Sequence, residues 1–160
     1  SSLVTGVQTC ALPISAINDL KNLISGVESD EFKSRIFLSI GEIYLSINDS
    51  ENAYQNLNKG ANLSKNRLLR EEVYFQIAEI SFENNDFDKA LDSYQKVLSN
   101  TISITRIQES NLKIVQIYRL RGELEKSANI IQDLLVDEDF NSIKADLDLE
   151  LIKIDRKSVV

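Results

Sequence analysis

The chain has 160 residues, 42% hydrophobic and 27% charged, with a net charge of −7, a single cysteine and no histidine. That is enough chain for one domain with a core, and no apolar run approaches the roughly 18 residues needed to cross a membrane. Acidic residues spread along the whole length oppose nucleic acid as the main partner, because phosphate contacts need clustered Lys and Arg; the missing imidazole removes the usual acid–base group and the commonest metal ligand.

The two ends stand apart from the rest. Val4 to Ile14 reads Val-Thr-Gly-Val-Gln-Thr-Cys-Ala-Leu-Pro-Ile and resembles the translation of a short-read sequencing adapter. Asp155 to Val160 resembles the translation of the partner adapter. A signal peptide fits Val4–Ile14 less well, since it has no positive start and its apolar run is broken by Gly6, Gln8, Thr9 and Pro13. Residues 1–14 and 155–160 are therefore expected to be non-native, and residues 15–154 to hold the fold. Cys10 then carries no information about redox compartment.

Within that stretch, Ala16, Leu20 and Leu23 lie three and four apart, one helical face over residues 15–30. Residues 34–70 follow with Phe37, Ile40, Gly41 and Tyr44, then Asn48-Asp49, then Ala53 and Leu57. Residues 71–107 carry Val73, Tyr74, Ile77, Ile80 and Phe82, again spaced for a helix. Asn84-Asn85-Asp86 breaks the pattern: Asn tolerates the left-handed conformation that ends a helix, and Asp caps the next one. A second run, Phe87, Ala90, Leu91, Tyr94, Val97 and Leu98, completes a helical hairpin. Residues 108–144 repeat the scheme with Ile114, Val115, Tyr118, Gly122, Glu123, Ser127 and Ile131. Glu71-Glu72 reads as the start of a helix, where carboxylates favour the positive end. Asp137-Glu138-Asp139 reads as a solvated linker, since it lacks the alternating oxygen ligands and the Gly of a calcium loop. Residues 145–154 begin a further helix with Leu147, Leu151, Ile152 and Ile154.

These segments are copies of one unit. Ile40, Ile77 and Ile114 are 37 residues apart, and so are Ala53, Ala90 and Ser127. The punctuation keeps the same step: Asn48, Asn85, Gly122, then Asp49, Asp86, Glu123. Asp49 and Asp86 are expected to cap better than Glu123. The small residues suit a close crossing of the two helices of a hairpin. A fixed period of this size marks a stack of like units.

The pattern resembles the tetratricopeptide repeat family. Tyr74, Ile77, Ala78, Ala90 and Tyr94 match the family signature, with polar Ser81 departing from it at an aromatic position, and Phe37, Ile40, Gly41, Tyr44, Ala53 and Leu57 supply the same positions in the preceding unit. The third unit supplies Ile114, Val115, Tyr118, Ser127 and Ile131, and residues 15–30 and 145–154 match half-repeats. The resemblance implies an all-α fold, a right-handed α-solenoid of antiparallel helical hairpins. The period exceeds the family's usual 34, and the extra residues are expected in the second helix or its exit.

The resemblance also implies a concave groove lined by the first helices. Its positions fall on Arg35, Leu38, Glu42 and Leu45, then Glu72, Phe75, Glu79, Phe82 and Glu83, then Glu109, Leu112, Gln116 and Arg119. Apolar anchors beside carboxylates suit a protein or peptide partner of apolar and basic character. Family members that clamp a C-terminal carboxylate use Lys and Asn where this chain has Leu38 and Glu42, so that ligand is not expected. The acid excess opposes an RNA-reading relative. No phosphate loop, metal-ligand cluster or nucleophile–base set occurs, so neither an enzyme nor a cofactor is expected. Two functions fit: an interaction scaffold, or a sensory or regulatory segment of a larger multidomain signalling protein. The apolar face of the last helix has no covering helix, which predicts self-association through uncapped ends.

Overall fold

A computed structural model describes residues 3–158, with side chains from Leu12 onward. Ser1, Ser2, Val159, Val160 and the Cys10 side chain, all within the segments read as adapter-derived, lie outside the described residues. The fold is all-α: α1 (Leu3–Ile24), α2 (Asp30–Ser46), α3 (Ser50–Leu63), α4 (Arg67–Glu83), α5 (Phe87–Asn100), α6 (Ile104–Leu120), α7 (Leu124–Leu135) and α8 (Lys144–Ser158), with a 3-10 turn at Glu138–Ile143. α1 runs across residue 14 and α8 across residue 154, so neither expected terminal boundary coincides with a helix end. Among the described residues, no helix is long and apolar enough to cross a membrane.

The helix starts keep the sequence period. α2, α4 and α6 are 17 residues each, while α3 and α5 are 14. The longer element is therefore the first helix of each hairpin, not the second, contrary to expectation. The starts are also upstream of those expected. Side chains of Ser29, Asn66 and Ser103 cap α2, α4 and α6 by accepting from Phe32, Leu69 and Arg106 backbone N–H groups. Glu71 and Glu72 thus sit in the second turn of α4, not at its start, and are beyond the reach of the end dipole.

The turns inside the hairpins are as punctuated. Asn48, Asn85 and Gly122 take φ of 61°, 59° and 80°, the left-handed conformation that stops a helix. Each turn closes with two reversed bonds. Asp49, Asp86 and Glu123 N–H groups donate to Tyr44, Ser81 and Tyr118 carbonyls, and Asn48, Asn85 and Gly122 to Leu45, Phe82 and Arg119. The same Asp49 and Asp86 then cap the next helix, accepting from Asn52 and Lys89 N–H. Glu123 makes no such bond; its extra methylene turns it to Arg121 instead, at 2.8 Å. One residue therefore ends one helix and begins the next, which makes a three-residue turn sufficient.

The chain divides into two compact units, residues 1–77 and 78–160, with the boundary inside α4. In the first unit α1 packs on α2 through Ile17, Ile36 and Ile40, with Leu20 and Tyr44 against them. α2 and α3 cross so closely that a Cβ on Gly41 would lie 2.6 Å from Leu57 Cγ. At Gly60 a Cβ would lie 2.6 Å from Leu38 Cδ2 and 3.0 Å from the Ser34 carbonyl oxygen. Ser34 Oγ donates to the Gly60 carbonyl at 2.7 Å across this crossing.

In the second unit, Ala90, Tyr94 and Val97 of α5 are fully buried, and each large side chain so removed from water contributes about 1.5–3 kcal/mol. α6 and α7 meet where Ser127 Oγ donates to the Val115 carbonyl at 2.9 Å. A cluster of Val115, Ile131, Phe140, Leu147 and Ile154 joins α6, α7, the 3-10 turn and α8. Residues 137–139 are exposed but are not a linker: Asp137 caps the turn by accepting from Asp139 N–H, and Phe140 is buried behind it. The turn takes the place of the first three helical positions without changing the period, so α8 begins at Lys144 where the period would place 141. Leu147 and Ile154 are buried, Leu151 is partly buried and Ile152 is exposed.

Candidate partner-binding surface

In the first unit, Arg35 and Glu42 of α2 and Glu72 of α4 are exposed. Leu38, Leu45 and Phe75 are half-buried. Leu38 is committed in part to the hairpin, since its side chain fills the space over Gly60. What these positions offer to solvent is therefore carboxylate and guanidinium heads beside the outer edges of apolar side chains.

In the second unit the expected positions sort into three groups. Glu83 and Glu109 are exposed; Glu109 pairs with Arg106 on its own helix at 3.4 Å. Glu79 and Phe82 are half-buried and converge on one cation. Lys113 Nζ of α6 lies 3.1 Å from Glu79 Oε2 and 4.5 Å from the Phe82 ring centre. Glu79 also accepts a short hydrogen bond from Tyr94 Oη of α5. Burial raises the Tyr94 phenol above its usual range, and the Glu79 bond and the charges of Glu79, Glu83 and Glu109 add to the shift. The unit thus presents the Glu83 and Glu109 carboxylates at its surface, while Lys113 meets the charge of Glu79.

The third group is satisfied internally. Arg119 Nε donates to Glu150 Oε2 of α8 at 2.6 Å, and Gln116 Nε2 donates to Glu150 Oε1 at 3.5 Å. Lys153 Nζ adds a third donor at 2.7 Å. Glu150 is only 2% exposed. Desolvation works against its charge, but the bonds from Lys153 and Arg119 outweigh it and hold the carboxyl below the usual range. Leu112 packs against the cluster around Val115. Among the described residues no three acidic, Cys or His side chains come together to hold a metal.

Three contributors were not singled out from sequence: Lys113, Glu150 and Gly60. The first two carried a usable signal. They are 37 residues apart and opposite in charge, at a position that faces the preceding first helix in both cases.

The "Tetratricopeptide repeat" family profile matches residues 34–67 and 71–100, which are the first two hairpins. Residues 34–67 and 71–100 are tetratricopeptide repeats. Two crystal structures of MamA share its fold with a TM-score of 0.53 at 16% identity. One covers 94% of this chain and 91% of MamA, the other 95% and 87%. DNA-directed RNA polymerase subunit beta' of Petrotoga mobilis is 33% identical over 155 residues, 91% of this chain. This chain spans 9% of that relative's length. Tetratricopeptide arrays are interaction scaffolds in general, since stacked hairpins present extended surface rather than a closed pocket.

Proposed function

We propose that this tetratricopeptide chain is a scaffold that binds a peptide or partner subunit of basic and apolar character along its first helices. One observation supports the choice of partner: each unit by itself pairs exposed carboxylates with half-buried apolar side chains on its first helices, Glu42 and Glu72 with Leu45 and Phe75 in the first, Glu83 and Glu109 with Phe82 in the second. A lysine- or arginine-bearing segment gains from the exposed carboxylates, and its apolar side chains gain from the exposed edges. Arg119 and Gln116, held by Glu150, position α8 in this reading and do not contact the partner. No chemical step is assigned to the surface.

The test uses two synthetic peptides, one of alternating Leu and Lys and one of Leu and Glu, titrated by fluorescence anisotropy. The Lys peptide binds, and Glu83→Lys or Glu109→Lys weakens it several-fold with an unchanged unfolding midpoint. Equal affinity for the two peptides would sink the proposal.

A second reading, a regulatory segment of a larger multidomain protein, is favoured by the small share of the polymerase relative that the similarity covers. Sequencing the flanking coding region from the source sample tests it; an array with no further domain on either side counts against it.

A further inference from the structure

The two inter-hairpin junctions of the second unit are the same junction with its charges reversed. Lys113 of α6 reaches back to Glu79 and Phe82 of α4. Glu150 of α8 reaches back to Gln116 and Arg119 of α6. Each of the three positions advances by 37: 113 to 150, 79 to 116, 82 to 119. At the first junction a cation enters an acidic, aromatic site. At the second a carboxylate enters a site of N–H donors. The corresponding positions of the first unit are Gln76, Glu42 and Leu45, where a neutral side chain leaves no charge pair to form.

Hairpins of one backbone geometry create a hazard. A first helix has several surfaces of nearly the same shape on which to dock, in its own chain and in a second copy, and misassembly is the characteristic failure of repeat proteins. Shape and hydrophobicity discriminate weakly, because the repeat gives the first helices the same length and spacing of apolar positions. Charge can. If α8 docked on α4, Glu150 would meet Glu79, with Glu83 and Glu109 nearby. If α6 of a second copy docked on α6, Lys113 would meet Arg119. Both wrong pairings put like charges together in a partly dehydrated contact, where repulsion costs most.

We propose that the charge at positions 113 and 150 is an order code: it lets each of these first helices dock on its own predecessor and bars the wrong one, within the chain or between copies. The code adds specificity rather than stability at the first junction, where Lys113 and Glu79 side chains are 29% and 31% exposed and such pairs contribute little.

The experiment uses the full chain, unfolded in urea and refolded at high protein concentration. The dimer fraction gained on refolding is read by size exclusion with light scattering, and the unfolding midpoint is read separately. E79Q/K113Q erases the code while Gln still accepts from Tyr94; it keeps nearly the wild-type midpoint and gains several-fold more dimer. K113E lowers the midpoint and also gains dimer. E79K/K113E restores the midpoint yet keeps the high dimer fraction, because both junctions then read the same charge order. A wild-type dimer fraction in both E79Q/K113Q and E79K/K113E overturns the proposal, leaving the bridges as pair energy alone.

Discussion

The first unit holds its hairpin together by the absence of side chains, the second by their polar heads. At the α2–α3 crossing, Gly41 and Gly60 let Leu57 and Leu38 sit against bare backbone. At the α6–α7 crossing the small position is Ser127, and its hydroxyl bonds the Val115 carbonyl. The next contact, α6 with α8, rests on a buried carboxylate with two donors from α6 and a third from its own helix. One repeat geometry is thus reached by different physics, and the two solutions should fail differently. Steric contacts are insensitive to pH and salt. A buried ion pair is sensitive to pH and to the loss of either partner.

The largest effect is expected at the ionic end. Arg119→Ala leaves Glu150 buried with fewer donors and should cost about 3 kcal/mol in urea unfolding, since breaking a buried pair strands a charge. The same site gives the pH dependence. The folded Glu150 carboxyl lies below its unfolded value, so its contribution is fully present above the unfolded pKa of about 4.3 and is lost as pH falls through the folded one. Unfolding midpoints measured downward from neutral pH should drop more steeply below about pH 4.3 in wild type than in Glu150→Gln. Parallel profiles would remove the ionic half of the contrast.

Next comes the steric end. Gly60→Val drives a branched side chain into Leu38 and the Ser34 carbonyl, and should cost about 2 kcal/mol by overpacking. Adding Leu38→Ala should recover part of that loss, and neither midpoint should follow pH below 5 more than wild type does. A neutral Gly60→Val would mean that the crossing is not as close as described.

Smaller effects separate the turns. Asp86→Ala removes a side-chain cap and should cost about 1 kcal/mol, while Glu123→Ala, with no cap bond to lose, should cost a few tenths. Smallest is a gain. Ser110 Oγ is buried without a hydrogen-bond partner, so Ser110→Ala should raise stability by about 0.5 kcal/mol. A loss there would point to a bonded hydroxyl.

The parts of the fold that could be read in advance are those set by neighbours along the chain. Asn48, Asn85 and Gly122 end their helices because a left-handed residue is needed within four residues of the last turn. Asp49 and Asp86 cap because a short carboxylate reaches an N–H three residues on. Ala53 and Ala90 are fully buried, as a close crossing requires. The upstream caps Ser29, Asn66 and Ser103 were equally local but were overshadowed by the apolar pattern that begins several residues later. Among the surface positions, the exposed carboxylates followed from the helical face on which they lie. Which of the others are spent internally did not, since that depends on the neighbouring helix.

The sequence by itself determined the 37-residue period, the hairpin unit, its turns and the family, because each rests on backbone preference or on spacing within about one helical turn. Tertiary structure alone decided that Lys113 sits over Phe82, that Glu150 is buried against Arg119, and that a 3-10 turn at Glu138–Ile143 replaces the first turn of α8 and buries Phe140. Those contacts join residues 31 to 34 apart, where the partner of a charge is fixed by how helices dock and not by anything adjacent in the chain.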